Sequence, residues 1–277
     1  MFWVTLGKYN PVSASAPPVW LRFCLGNEQK HSTKPPFGCQ PSGLTCSHRV
    51  SPRSEKKRFF VITLYGVYRS RASRPLWLLA ELNMKFSHIP VMQAYRLPQP
   101  TAADAPFNTG SPAFLAVSSL GQIPVYTEGD LVLTESLAIC LHIARQYGGA
   151  LGPQTPAEAA LMDQWTLFAA TAVEGPALEI LYVVDAGGDK TPEGQASMAV
   201  NAEKLRRPLA RLQAHLQATD WMVGARFSVA DIIMAECLRY AQSHPTLIAE
   251  FPAIAGWLAR CQGRAAFKAM WAARVAE

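Results

Sequence analysis

The chain changes character at about residue 152. From Phe59 to Gly149, short apolar runs typical of strands alternate with stretches whose apolar residues recur at helical spacing. Beyond "GPQTP" (152–156), apolar residues recur almost only at helical spacing. The clearest stripe is formed by Leu205, Leu209, Leu212 and Leu216. We therefore predict a mixed α/β domain followed by an all-α domain.

The first part has the predicted order β-α-β-α-β-β-α. Its strand candidates are "FFVITLY" (59–65), "FSHIPVM" (86–92), and a hairpin in which "PVY" and "LVL" flank the turn "TEGD" (127–130). A helix is predicted over "RASRPLWLLAELNM" (71–84), where Pro75 fits only near the first turn. A short helix is predicted over "SPAFLAV" (111–117), and a last one ends at Gly148–Gly149.

Charge is unevenly distributed along the chain. Residues 1–58 contain nine Lys or Arg and two Glu, whereas residues 59–277 contain seventeen Lys or Arg and eighteen Asp or Glu. The net charge of +6 therefore comes from the first segment, and the globular part lacks the basic excess that nucleic-acid binding needs. Residues 1–58 are rich in Pro, Ser and Gly without helix or strand periodicity, so we predict a disordered, dispensable extension.

Secretion, membrane insertion and metal binding are not predicted. The first ten residues lack the long apolar core of a secretory signal, although a transit peptide or a translation start nearer Phe59 stays open. No run of about 18 apolar residues predicts a transmembrane helix. The six cysteines lack metal-ligand spacing, and Cys140, Cys237 and Cys261 lie singly on apolar helical faces. Reduced thiols in a cytoplasmic protein are expected.

Four stretches carry a resemblance to a known family. They read "LYGVYRSRASRPLWLLAEL" (64–82), "GQIPVYTEGDLVLTESLAI" (121–139), "GARFSVADIIMAE" (224–236) and "FPAIAGWLARCQGRAAF" (251–267). In this order the chain resembles the soluble glutathione transferases, as a bacterial-like, serine-using member. The resemblance implies a thioredoxin-like domain over residues 59–149, an all-α domain over residues 150–277, and a homodimer.

The second stretch contains the residues that the resemblance assigns to glutathione. Pro124 is expected to be cis, so that Ile123 pairs its backbone with the ligand like an added strand. Glu135 and Ser136 open a helix, where Ser136 and the free N–H groups suit a carboxylate and Glu135 suits an ammonium, as on a γ-glutamyl group. Gln122 is expected at the ligand's other end. Helix capping by Glu135 and Ser136, and a solvated Gln122, are the alternatives.

Two residues compete for activation of the glutathione thiol, whose thiolate is the nucleophile. Alignment with serine-using classes places Ser70 at the activating position, before the first helix. Alignment with tyrosine-using classes places Tyr65 there instead. We favour Ser70, because Tyr at this strand end also packs in serine-type members. An N-cap role without catalysis is the alternative for Ser70. No Cys lies near Ser70, which argues against the cysteine-using classes.

The resemblance implies a glutathione transferase that activates glutathione for conjugation to a small electrophile, with glutathione as cosubstrate. Tyr68, Trp165 and Phe168 are candidates for an apolar electrophile pocket, although Trp165 and Phe168 also fit a core stripe. A glutathione-dependent reductase, isomerase or dehalogenase on the same scaffold stays open, as does a non-catalytic glutathione-fold scaffold protein. The electrophile itself cannot be identified from the sequence.

Overall fold

The computed structural model describes residues 61–277. The extension predicted over residues 1–58, and the first two residues of the predicted strand, lie outside the described residues. The domain boundaries at 58/59 and 149/150 stay predictions. Within the described part, the chain forms one compact unit in which a small mixed sheet and its helices precede a helical layer.

The sheet has the topology expected of a thioredoxin-like domain. Its strands are β1 (Thr63–Tyr65), β2 (Ser87–Ile89), β3 (Val125–Glu128) and β4 (Leu131–Leu133). Within the described residues they follow the order β2-β1-β3-β4, in which β1 pairs parallel with β2 and antiparallel with β3. The predicted hairpin is confirmed, because β3 pairs antiparallel with β4 around Gly129, which has φ +58°.

Three helices accompany the sheet. They are α1 (Ser73–Glu81), α2 (Pro112–Leu115) and α3 (Ser136–Tyr147). Pro75 lies in the first turn of α1 as predicted, where its missing N–H has no partner to lose. Helix α1 is buried along most of its length, and Trp77 contacts the rings of Phe227 and Phe267 from the helical layer. The sheet domain is therefore packed firmly against the helices that follow it.

The rest of the chain is helical, which confirms the predicted fold class. Its α-helices are α4 (Pro156–Phe168), α5 (Gly175–Asp185), α6 (Pro192–Ala218), α7 (Val229–Leu238), α8 (Pro252–Gln262) and α9 (Ala265–Ala276). The predicted leucine stripe lies on the buried face of α6. Helix α7 is capped by Ser228, whose N–H donates to the Asp231 carboxylate at 2.9 Å; that carboxylate also accepts from Trp257.

A π-helical segment, Ala169–Glu174, joins α4 to α5 into one helical rod. The whole stretch Pro156–Asp185 is long and apolar enough, by length and composition alone, to cross a membrane. Its inward positions pack into the core instead, among them Trp165, Val173 and Ile180. We therefore interpret it as the central core helix of the helical layer.

An arginine forms hydrogen bonds to the segment that connects the sheet domain to the helical layer. Arg226 donates from Nε to the Ala150 carbonyl at 2.7 Å and from Nη2 to the Gly152 carbonyl at 2.9 Å. It also pairs with Glu158 in the first turn of α4. One guanidinium thus fixes both the connecting segment and the start of the helical layer.

Candidate functional site

A cavity of about 1070 Å³ lies between the sheet domain and helix α5. On the sheet side it is lined by the loop after β1, by the loop that precedes β3 and by the start of α3. On the helical side it is lined by residues of the π-helical segment and α5, with Tyr240 and Arg274. Sequence-distant segments thus meet at one opening, which is typical of a ligand site.

Six of the ten predicted site residues line this cavity. They are Ser70, Gln122, Ile123, Pro124, Glu135 and Ser136. The Ile123–Pro124 peptide bond is cis, as the resemblance implies. Within residues 61–277, neither the N–H nor the C=O of Ile123 is hydrogen-bonded to another protein group. Both groups are therefore available to pair with an extended ligand, as they would with an added strand.

Glu135 and Ser136 stand at the start of α3 with contrasting surroundings. Glu135 is exposed and has φ +63°, a left-handed conformation that costs a non-glycine residue about 1–3 kcal/mol. Strain of this kind is typically kept where it orients a functional group. Ser136 is buried, and its hydroxyl oxygen accepts a hydrogen bond from Arg74 at 2.9 Å. Its hydroxyl proton is free to be donated to a ligand.

Ser70 lies in the turn that precedes α1. Its hydroxyl donates to the Val67 carbonyl at 2.6 Å and accepts from the Ala72 N–H at 3.0 Å. The hydroxyl therefore closes this turn, while the N-cap position of α1 itself belongs to Ala72. Ser70 is also one of the residues that line the cavity.

Tyr65 is not among the residues that line the cavity. It lies at the end of β1, and its ring contacts Phe114 at a centroid distance of 6.2 Å within a small apolar cluster. The two candidates for thiol activation thus differ in position: the structure brings Ser70 to the cavity that holds Glu135 and Ser136, and places Tyr65 in packing.

The three aromatic residues considered for the electrophile pocket do not line the cavity either. Tyr68 contacts the ring of His88 edge-on, at 5.3 Å between centroids. Trp165 and Phe168 pack against each other on α4, and Arg211 covers both rings. The larger apolar and aromatic side chains of the helical layer that line the cavity are instead those of Leu178, Leu181, Tyr182 and Tyr240.

An ion-pair network that sequence reasoning missed lies in the wall of the cavity. Glu174 ends the π-helical segment and contacts Arg71 Nε at 2.6 Å and Arg74 Nη2 at 2.8 Å. Burial alone would raise the pKa of Glu174, but the two arginines bring it below its ordinary value. Arg74 is only 1% exposed, and its Nε has no hydrogen-bond partner among the described residues. No motif could reveal this network, because its partners are a hundred residues apart.

None of the cysteines within residues 61–277 lines the cavity. In residues 61–277 the three cysteines are free and buried, as the sequence predicts. Burial raises the pKa of the Cys237 thiol to about 12, so it stays protonated at neutral pH. No group of three or more metal-ligating side chains is assembled in this part of the chain. The polar side chains that line the cavity carry hydroxyl, carboxylate, guanidinium and amide groups.

Comparison with known proteins matches both layers of the fold. Residues 64–151 match the model of the glutathione S-transferase N-terminal domain, and residues 171–265 match that of the C-terminal domain. Glutathione S-transferase 4 of Zea mays is 32% identical over 155 residues, which cover 53% of this chain and 67% of that protein. Elongation factor 1-gamma of Carassius auratus is 32% identical over 164 residues, which cover 58% of this chain and 36% of that protein.

Among solved structures, a theta class glutathione S-transferase from Xanthomonas axonopodis pv. citri, determined with glutathione bound, is similar throughout its length. It is 30% identical, with a TM-score of 0.61, and the match covers 76% of this chain and 96% of that one. The match thus includes both the sheet domain and the helical layer. The chain therefore belongs to the glutathione S-transferase family.

Proposed function

We propose that the cavity binds glutathione and activates its thiol for conjugation to a small electrophile. The observation that carries this proposal is the convergence of Ser70, Ile123, Glu135 and Ser136 on one opening. The γ-glutamyl carboxylate is bound by Ser136 and the N-terminus of α3, and the ammonium by Glu135. The cysteinyl unit pairs with the open backbone of Ile123, which leaves Gln122 for the glycine end.

Ser70 is the proposed thiol-activating residue, which makes this a serine-type member. Its hydroxyl proton turns from the Val67 carbonyl to the ligand sulfur and stabilises the thiolate. The thiol proton is released to solvent. The thiolate sulfur then forms a bond to the electrophilic carbon, and the leaving group departs with its electron pair. Tyr65 is given no role, because its ring lies in packing against Phe114.

The second substrate is proposed to occupy the wall formed by α5. Leu178, Leu181 and Tyr182 line the cavity, whereas Ala177 and Ile180 of the same helix are buried in the core. A mostly apolar wall with a phenol suits a small apolar or aromatic electrophile. Tyr68, Trp165 and Phe168 have no part in this pocket. A reductase, isomerase or dehalogenase reaction would use the same thiolate with another electrophile.

A non-catalytic role is the second candidate, favoured by the similarity to elongation factor 1-gamma. Two measurements separate the candidates: retention on immobilised glutathione, and turnover of a chlorodinitrobenzene with glutathione. Retention with turnover is expected from the proposed function. Retention without turnover of this electrophile or of a panel of reducible, isomerisable and haloalkane substrates would favour a scaffold. A chain that is not retained at all would contradict the glutathione site.

We propose that the functional form is a homodimer in the cytoplasm. The similarity to bacterial members of the family stays a prediction. Leu131 and Val132 of β4, and Leu161 and Leu167 of α4, are apolar and exposed. Outward apolar side chains on both layers fit a surface that a second copy covers. Light scattering during gel filtration measures the mass, and Leu167→Glu is expected to shift it from dimer to monomer.

A further inference from the structure

Arg274 connects the last helix to the loop that carries Ser70. It lies in α9, and its Nη1 donates to the Tyr68 carbonyl and, at 3.4 Å, to the Ser70 carbonyl. Its guanidinium also lies near the Trp271 ring, 5.6 Å from the centroid, and lines the cavity. One cation of the helical layer therefore reaches the backbone on both sides of the proposed thiol-activating turn.

Arg274 has no carboxylate partner among the described residues, in contrast to Arg71 and Arg74. Burial and the nearby charges of Arg239 and Arg69 lower its pKa from the ordinary value, while Glu236 and Tyr240 act in the opposite direction. The Glu277 carboxylate lies close by, but it accepts from the N–H groups of Tyr68 and Arg69. The charge of Arg274 is thus poorly compensated.

The cavity as a whole has an excess of positive charge. Its lining includes five guanidinium groups, on Arg69, Arg71, Arg74, Arg96 and Arg274. Three carboxylates line it as well, on Glu135, Glu174 and Asp185. Glutathione carries two carboxylates and one ammonium, and the thiolate adds a further negative charge. The excess therefore matches the thiolate form of the ligand better than the thiol form.

We propose that Arg274 stabilises the glutathione thiolate together with Ser70. The proposal rests on the proposed glutathione transferase function. Arg274 acts in two ways: its hydrogen bonds to the Tyr68 and Ser70 carbonyls hold the turn that carries Ser70 at the cavity, and its poorly compensated charge favours an anion there. In a partly buried site, a charge of this kind is screened less than at an exposed surface.

The test compares Arg274→Gln, Arg274→Lys and a matched control, Arg260→Gln. The Arg260 guanidinium resembles that of Arg274 in two respects: it donates to a carbonyl, that of Asp220 at 2.7 Å, and it lies over a Trp ring. Unlike Arg274, Arg260 does not line the cavity. Thiolate absorbance of bound glutathione is titrated against pH in each variant, which requires no electrophile. Turnover of a chlorodinitrobenzene is measured over the same pH range.

We expect Arg274→Gln to raise the pKa of the bound thiol by about 1, the size of effect of one nearby charge. Turnover then falls about tenfold near pH 6 and approaches the unaltered chain near pH 9. Arg274→Lys keeps the charge, so its turnover should stay within about threefold of that of the unaltered chain, and Arg260→Gln should leave the titration unchanged. A loss of turnover that is equal at all pH values, with an unchanged thiol titration, would overturn the proposal.

Folding is followed by thermal unfolding of each variant. If Arg274→Gln does not fold, Arg274→Met, which makes the same change of charge, replaces it. Failure of both variants to fold would assign Arg274 to the fold and overturn the proposal. Failure of the proposed function has a different signature, since the unaltered chain itself would then bind no glutathione or turn over no electrophile.

Discussion

Arg74 and Ser136 lie in the first turns of two different helices, 62 residues apart in sequence, and the Arg74 guanidinium donates to the Ser136 hydroxyl oxygen at 2.9 Å. The same guanidinium pairs with Glu174 of the helical layer. Through Arg74, the hydroxyl proposed to bind the γ-glutamyl carboxylate is therefore linked to the opposite wall of the cavity.

The first prediction follows from this link. Arg74→Met removes a fully buried charge and leaves Glu174 with Arg71 alone, so we expect stability to fall by about 3 kcal/mol. Glutathione Kd should rise about tenfold, since Ser136 loses the donor that orients it. Calorimetry gives Kd and thermal unfolding gives stability. The control Arg264→Gln breaks the ion pair with Glu81 away from the cavity. An equal rise in Kd in that control would contradict the prediction.

A second prediction concerns the γ-glutamyl end. Glu135→Gln and Ser136→Ala should each weaken glutathione binding by about 1–3 kcal/mol, the value of a charge-assisted hydrogen bond. Glu135 is exposed, so its replacement should leave the melting temperature nearly unchanged. Fluorescence titration with glutathione measures both affinities. Unaltered binding in both variants would refute the assignment of this helix start.

A third prediction separates Ser70 from Tyr65. Ser70→Ala should raise the pKa of bound glutathione and lower kcat/KM by about 10 to 1,000-fold, because one donor to a developing anion is lost. Glutathione affinity should be nearly kept. Tyr65→Phe should leave the titration of thiolate absorbance within error. The reverse result, with an upward shift only in Tyr65→Phe, would assign activation to Tyr65 and leave Ser70 as a residue that closes the turn before α1.

A fourth prediction places electrophile selectivity on α5. Leu178→Ala should raise KM for a hydrophobic electrophile about threefold to tenfold, through lost apolar contact, with KM for glutathione unchanged. Trp165→Leu should lower stability by creating a cavity, with little change in either KM. Steady-state kinetics with both substrates varied distinguishes the two. A change in electrophile KM that is confined to Trp165→Leu would return the pocket to α4.

A fifth prediction is a pH dependence of stability. The hydrogen bond with Arg226 lowers the pKa of Glu158 from 4.5 to about 2. Because the folded pKa lies below the unfolded one, the stabilisation is complete above about pH 5 and is lost as pH falls toward 2. Glu158→Gln should therefore lower the melting temperature by about 1–3 °C at neutral pH. The difference should vanish near pH 2, and a difference independent of pH would exclude this ion pair as its source.

The sequence predicts one side of the site far better than the other. Ile123, Pro124, Glu135 and Ser136 fall within fourteen residues (123–136), in one of the stretches that carry the family resemblance. Their places on the cavity could therefore be anticipated from that resemblance. The sequence favours Ser70 over Tyr65 but leaves both open, because the two lie only five residues apart and the course of the loop after β1 decides which of them reaches the cavity.

The helical side eluded prediction for a different reason. Periodicity shows that a helix has an apolar face, but it does not say whether that face meets the core or a cavity. On α5, Leu178 faces the cavity while Ile180 faces the core, and both are aliphatic. Trp165 has a suitable residue type for an apolar pocket, but it lies on α4, which precedes the π-helical segment and α5 that line the cavity. Arg274 lies about 200 residues from the loop that it contacts.

The π-helical segment Ala169–Glu174 sets the rotation of α5 about the helix axis relative to α4. A π-bulge holds one more residue than an α-helical turn, and one residue corresponds to about 100° of rotation. Deleting a single residue there would continue α4 as a regular helix and turn all of α5 about its axis. Glu174 would swing away from Arg71 and Arg74, and core residues would exchange places with the cavity wall. Relatives with and without this extra residue would thus present different side chains of α5 to the cavity. Sequence alignments should therefore be anchored separately on either side of it.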